Sequence, residues 1–77
     1  MKQRLRLTLP QHLIKEPVIF KMAKQYDVIP NISRARVMET VGEMVLELEG
    51  PEENVKNGIQ YLKELGIAVE LAEGEIW

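Results

Sequence analysis

Cysteine is absent from the chain, which excludes a disulfide framework, a thiol nucleophile and any cysteine-ligated zinc or iron–sulfur centre held by these residues alone. Aromatic residues are scarce, at 5% of the composition, and Phe20, Tyr26, Tyr61 and Trp77 fall in segments read as helices and tail, where they build no stacking platform for nucleobases. Neither sign of charge dominates: 12 acidic and 10 basic residues leave a net charge of −2, so the overall field gives no electrostatic reason to bind nucleic acid or an anionic membrane. No apolar run approaches the ~20 residues that span a bilayer, and the amino-terminal MKQRLRLTLP alternates where a signal peptide would carry a continuous apolar core. The glycines at 42, 50, 58, 66 and 74 are scattered and build no phosphate-cradling loop. With 77 residues the chain reads as one small domain, of a size that buries roughly 60–65% of its unfolded surface and leaves little room for an enclosed cofactor cavity. Function is therefore expected on a surface, an edge or an interface, in a cytoplasmic setting.

What is present alternates in period. Leu5, Leu7 and Leu9 interleave with Arg4, Arg6 and Thr8, the signature of a half-buried strand that Pro10 ends. Residues 10–16 read as a loop. Val18, Ile19, Met22, Ala23 and Tyr26 then recur at helical spacing, with Pro17 suited to the first turn, and predict a helix over 17–26. Alternation resumes over 31–40, with Ser33, Ala35 and Val37 on one side and Ile32, Arg34, Arg36 and Met38 on the other. Gly42 marks a turn before a third strand over 44–49. Pro51, Glu52 and Glu53 open a second helix over 52–65, its apolar stripe formed by Val55, Ile59, Leu62 and Leu65 and its end marked by Gly66. Residues 67–71 make a fourth strand, and 73–77 a short tail after a domain spanning 1–72.

Two right-handed strand-helix-strand units of this length fit the split arrangement, in which each crossover leaves a gap for a strand of the other unit. The expected architecture is α+β, a ferredoxin-like βαββαβ sandwich: a four-stranded antiparallel sheet of order 4-1-3-2 with two helices on one face. Charge supports that order. It sets Glu70 beside Arg4 and Arg6, these beside Glu47 and Glu49, and these beside Arg34 and Arg36, and opposite charges across strands favour pairing by ~0.2–1 kcal/mol each.

Few side chains invite a chemical role. His12 is the sole histidine and has no second ligand at a recognisable spacing. Glu47 and Glu49 have arginine neighbours in the expected sheet, while Glu52 and Glu53 serve a helix start. No nucleophile, base and orienting group converge, so the chain is not expected to be an enzyme, and no metal or other cofactor is implied. The arginines would suit single-stranded RNA only with aromatic residues on the same open face, and none occurs there. The segment Ile29-Pro30-Asn31-Ile32-Ser33 stands apart, because it opens what the order 4-1-3-2 makes an edge strand with unpaired backbone groups. Asn31 either caps the backbone there or grips the ammonium and carboxylate of a small amino acid.

Those residues carry a resemblance. From Lys2 through Leu71 the chain resembles the NIL domain, named for an Asn-Ile-Leu motif at the start of its second strand, which stands here as Asn31-Ile32-Ser33 with serine in the third place. The opening RLRLTLP, the helix PVIFKMAKQYDV, the hairpin end VLELEGPEENV and the closing YLKELGIAVEL resemble it as well. The resemblance implies a regulatory domain that binds methionine or a related sulfur amino acid, as at the carboxyl end of the ATPase subunit of methionine ABC transporters, and that pairs as a homodimer. It places the ligand at Asn31, Ile32 and Ser33, with Met38 helping to receive a thioether. A second setting of the family, ahead of a cysteine-rich ferredoxin module, implies the alternative of a protein-interaction domain that docks such a module or a transporter subunit.

Overall fold

In the computed structural model, which describes residues 1–72, the leucine alternation becomes strand β1 (Lys2–Pro10), followed by α1 (Gln11–Ile14), α2 (Val18–Tyr26), β2 (Ile29–Val37), β3 (Val41–Glu49), α3 (Glu52–Glu64) and β4 (Ala68–Leu71). The architecture is α+β. All strands join one antiparallel sheet in the order β2-β3-β1-β4, which read from the other side is 4-1-3-2. Leu5, Leu7, Leu9, Leu46 and Leu48 share one buried cluster with Leu13 of α1, Ile19 and Met22 of α2, and Val55 and Leu62 of α3. The helices thus cover the leucine face of the sheet and leave the charged face to solvent.

The charged rows fall as the order requires. The Arg4 Nε lies 3.4 Å from Glu47 Oε2, Arg6 Nη1 lies 3.9 Å from Glu70 Oε2, and Lys2 Nζ lies 4.0 Å from Glu49 Oε2. The Lys2–Glu49 and Arg6–Glu70 pairs are exposed and add at most ~1 kcal/mol each, while the Arg4–Glu47 pair is partly buried.

The helix ends follow from local chemistry. Pro51 precedes α3, and Glu52 and Glu53 occupy its first turn, where the dipole favours carboxylates. At the other end Leu65 is the capping residue and Gly66 follows in the left-handed region, at φ 96°. The Gly66 N–H donates to the Lys63 carbonyl at 3.0 Å and the Ile67 N–H to the Leu62 carbonyl at 3.2 Å, the paired bonds of a Schellman ending. Helix α2 ends at Asp27, also left-handed at φ 55°, a conformation that aspartate tolerates better than most residues.

Four sequence expectations need correction. Part of the 10–16 loop is the one-turn helix α1, anchored by the buried Leu13; four residues are too few to display a period. The second strand runs 29–37, not 31–40, and Pro30 sits within it, tolerated because an edge strand does not need every N–H. The hairpin turns at 38–40, not at Gly42, which lies inside β3. A Cβ at Gly42 would stand 3.3 Å from Ile14 Cγ1, so the glycine accommodates the close approach of α1.

The fourth correction concerns faces. Ile32 stands opposite Leu46 and Arg34 opposite Val45, so Ser33 is an extra residue, a β-bulge. Strict alternation placed Ile32 with Arg34 and Arg36. The bulge instead puts Ile32 on the helix-covered side with Ala35 and Val37, while Asn31, Arg34 and Arg36 share the open face. The tail expected over 73–77 lies outside the described residues.

Candidate functional site

Helix α2 buries Val18, Ile19 and Met22 and turns Phe20 outward, where it is 67% exposed. The chain then reverses at Asp27 and enters β2 at the sheet edge. Between these elements lies an open groove of about 420 Å³, lined by Ile19, Phe20, Ala23, Lys24, Val28, Pro30 and Ile32. Its walls are apolar except for Lys24. Ile32, 48% exposed, forms the β2 wall and reaches the groove only because the bulge behind it fixes its face.

The residues singled out from the sequence are partly brought together. Asn31 lies opposite Glu47, on the open face, and Ile32 points to the groove. Their side chains leave the strand in opposite directions, yet at an edge strand both faces can be reached from the rim. Ser33 is occupied within the sheet: its hydroxyl donates to the Val45 carbonyl at 3.2 Å, which ties the bulge to β3. Met38 belongs to the hairpin turn, its N–H donating to the Val41 carbonyl at 2.8 Å. At about 3.3 Å per residue it stands roughly 17 Å along the ribbon from Ile32, so the structure does not bring it to the groove.

Pro30 and Ile32 belong to the segment singled out from the sequence, whereas Ile19, Phe20, Ala23, Lys24 and Val28 are lining residues that sequence reasoning did not assign to a site. A signal existed for Phe20, a large apolar residue off the buried stripe of its helix.

A second depression, about 360 Å³, lies on the open face and is lined by Arg6, Thr8, Arg34, Arg36, Glu43, Val45 and Glu70. Arg6 reaches Glu70, whereas Arg34 and Arg36 make no ion pair among the described residues. A smaller hollow of about 180 Å³ holds His12, Glu16 and Lys21, with Glu16 and Lys21 paired at 3.6 Å. No group of three metal-ligating side chains occurs among the described residues, and none of their helices is long and apolar enough to cross a membrane.

A small antiparallel sheet covered on one face by helices, with an apolar groove at its edge, defines the class as a small α+β module. The NIL domain model matches residues 3–71, and the chain belongs to that family. Among its relatives are the methionine import ATP-binding protein MetN of Coxiella burnetii, 30% identical over 71 residues that cover 87% of this chain and 20% of the relative, and MetN 1 of Listeria monocytogenes serotype 4b, 32% identical over 62 residues that cover 75% and 18%. The chain thus spans about a fifth of the length of these curated relatives. The C-terminal domain of an ABC transporter ATP-binding protein from Enterococcus faecalis superposes with a TM-score of 0.81 at 25% identity, covering 95% of this chain and 86% of that one. A de novo designed protein, Foldit4, shares the fold at a TM-score of 0.61 and 11% identity.

Proposed function

We propose that the domain is a non-catalytic regulatory module, cytoplasmic and tied to methionine import, that recognises methionine or a related sulfur amino acid at the rim of β2. The observation that carries this reading is the apolar groove between Phe20 and Ile32, placed at the family's Asn-Ile signature with one ammonium, Lys24, at its wall. An unbranched thioether side chain fits such a slot because it adapts to irregular apolar surfaces. Lys24 attracts the ligand carboxylate. Asn31 and the outer backbone groups of residues 29–32 supply polar contacts from the rim, the asparagine from one side and the groove from the other. Ser33 and Met38 take no part in this arrangement.

Burying the ligand side chain is worth roughly 1.5–3 kcal/mol, or about 10- to 100-fold in affinity. Calorimetry on the purified domain should therefore show methionine and norleucine binding while alanine produces no heat. Ile32→Glu should weaken methionine binding about tenfold or more, because the ligand would then meet a charge it must desolvate. Asn31→Ala should weaken it by a smaller factor, about that of one neutral hydrogen bond. No heat with millimolar methionine, or equal heats with alanine, would remove the reading.

A further inference from the structure

On the open face of β3 the residues Glu43, Val45, Glu47 and Glu49 follow one another in a row, with valine where a carboxylate is due. The exception falls between two arginines. Val45 stands opposite Arg6 of β1 on one side and Arg34 of β2 on the other. No helix covers this face, yet Val45 is only 8% exposed and lies outside the core cluster, because the methylene stems of long neighbouring side chains shelter it. It forms the floor of the basin of about 360 Å³ that Arg6, Thr8, Arg34, Arg36, Glu43 and Glu70 surround.

The rim of this basin carries more positive charge than the sheet neutralises. Glu70 is committed to Arg6 at 3.9 Å. Glu43 stands opposite Arg36 in register, but neither Arg36 nor Arg34 makes an ion pair among the described residues. Two guanidiniums thus line a hollow whose floor is apolar. With β3 between them, the backbones of β1 and β2 lie roughly 10 Å apart, a gap that arginine side chains reaching in from both sides can close on one small anion.

We propose that this basin binds a phosphate group, as the free ion or as the monoester of a small molecule. Arg34 and Arg36 donate hydrogen bonds to the phosphate oxygens, the Thr8 hydroxyl donates from the β1 side, and Arg6, still paired with Glu70, adds its field. A single guanidinium fork satisfies a planar carboxylate, whereas donors converging from two strands suit an anion whose oxygens point in several directions. Glu43 accepts a hydrogen bond from a phosphate hydroxyl. The basin lies on the face of the sheet opposite the apolar groove and is built from side chains alone. It therefore asks nothing of the outer backbone of β2 and stands independently of the methionine reading.

The test titrates inorganic phosphate, and separately glycerol phosphate, into isotope-labelled protein at an ionic strength held constant with sodium chloride, following the arginine Nε–H signals and the Val45 methyl signals. Saturable shifts at these groups are expected with a Kd on the order of 1 mM, since a few charge-assisted hydrogen bonds on an open surface support no more. Arg34→Gln and Arg36→Gln should each weaken binding about tenfold. Val45→Glu supplies the missing carboxylate from the protein itself and should abolish binding, while Val45→Thr, which leaves the charge unchanged, should retain it. Binding of phosphate alone assigns the free ion and tighter binding of glycerol phosphate assigns a monoester; either supports the site. The inference is overturned if the shifts do not saturate, if both glutamine variants bind phosphate as the parent does, or if a folded Val45→Glu variant still binds it. Should Val45→Glu fail to fold, the glutamine variants, at exposed positions, decide the matter alone.

Discussion

Alanine at Leu5 or at Leu46 should lower the unfolding free energy by about 2–5 kcal/mol, whereas alanine at Leu71 or Ile32 should cost less than ~1 kcal/mol. All four residues lie on one line across the sheet, Leu71 opposite Leu5, Leu5 opposite Leu46, and Leu46 opposite Ile32. They are chemically alike and differ mainly in what covers them. Leu5 and Leu46 are fully buried beneath the helices, while Leu71 and Ile32 are 63% and 48% exposed at the two edges. In the middle of the line, truncation loses apolar burial and leaves a cavity that a close-packed interior fills only in part. At the edges the vacated space opens to water. A domain of this length has a total stability of roughly 4–11 kcal/mol, so either central truncation consumes a large share of it. Urea unfolding would measure the series, with an unchanged slope showing that the denatured state is unaffected. If Leu71→Ala proved as costly as Leu5→Ala, the β4 edge would have to be covered in solution by another molecule.

That line also shows what could be read before the structure was known. The burial of Leu5 and Leu46 follows from period-two alternation, and the strand order follows from two interleaved right-handed crossovers, with the sign of the flanking charges in support. Both are properties of residue sequence along a regular ribbon. Ile32 is different. Its face depends on whether one residue is inserted between it and Arg34, and a bulge leaves the composition and local polarity of a strand unchanged while moving every side chain on one side of it. The apolar groove was hidden for the same reason, because it exists only when Ile32 faces the same side as Phe20. Gly42 misled in another way: glycine marks turns and close backbone approaches alike, and only the position of α1, too short to announce itself, decides between them. The position of Asn31 near the start of the edge strand was legible. The separation of Met38 from it was legible too, because six residues of extended chain keep Met38 away from Ile32 wherever the hairpin turns.

Gly58 offers the other large effect, and its sign depends on two opposed terms. It lies buried in α3, away from either end of the helix, where glycine is less favourable than alanine by about 0.5–1 kcal/mol. By helix propensity alone, Gly58→Ala should stabilise the domain. A Cβ built there would, however, stand 2.9 Å from Met22 Sδ and 3.6 Å from Met22 Cγ, on the neighbouring helix α2. Met22 has no exposed surface, so its thioether cannot swing out into water and must repack within the core. Overpacking of this kind costs about 1–3 kcal/mol, which outweighs the propensity gain and gives Gly58→Ala a net loss of about 1 kcal/mol. Gly58→Leu, which drives a whole side chain into the α2–α3 contact, should lose about 3 kcal/mol or more. The cause can be isolated by a double-mutant cycle with Met22→Ala. That substitution is costly by itself, but it vacates the space the new methyl needs, so the pair should be less destabilising than the sum of its parts by about 0.5–3 kcal/mol. Additive losses would mean that the two helices are held apart by something other than the Gly58–Met22 contact. A stabilising Gly58→Ala would mean that Met22 gives way freely, and the glycine would then need a reason other than packing.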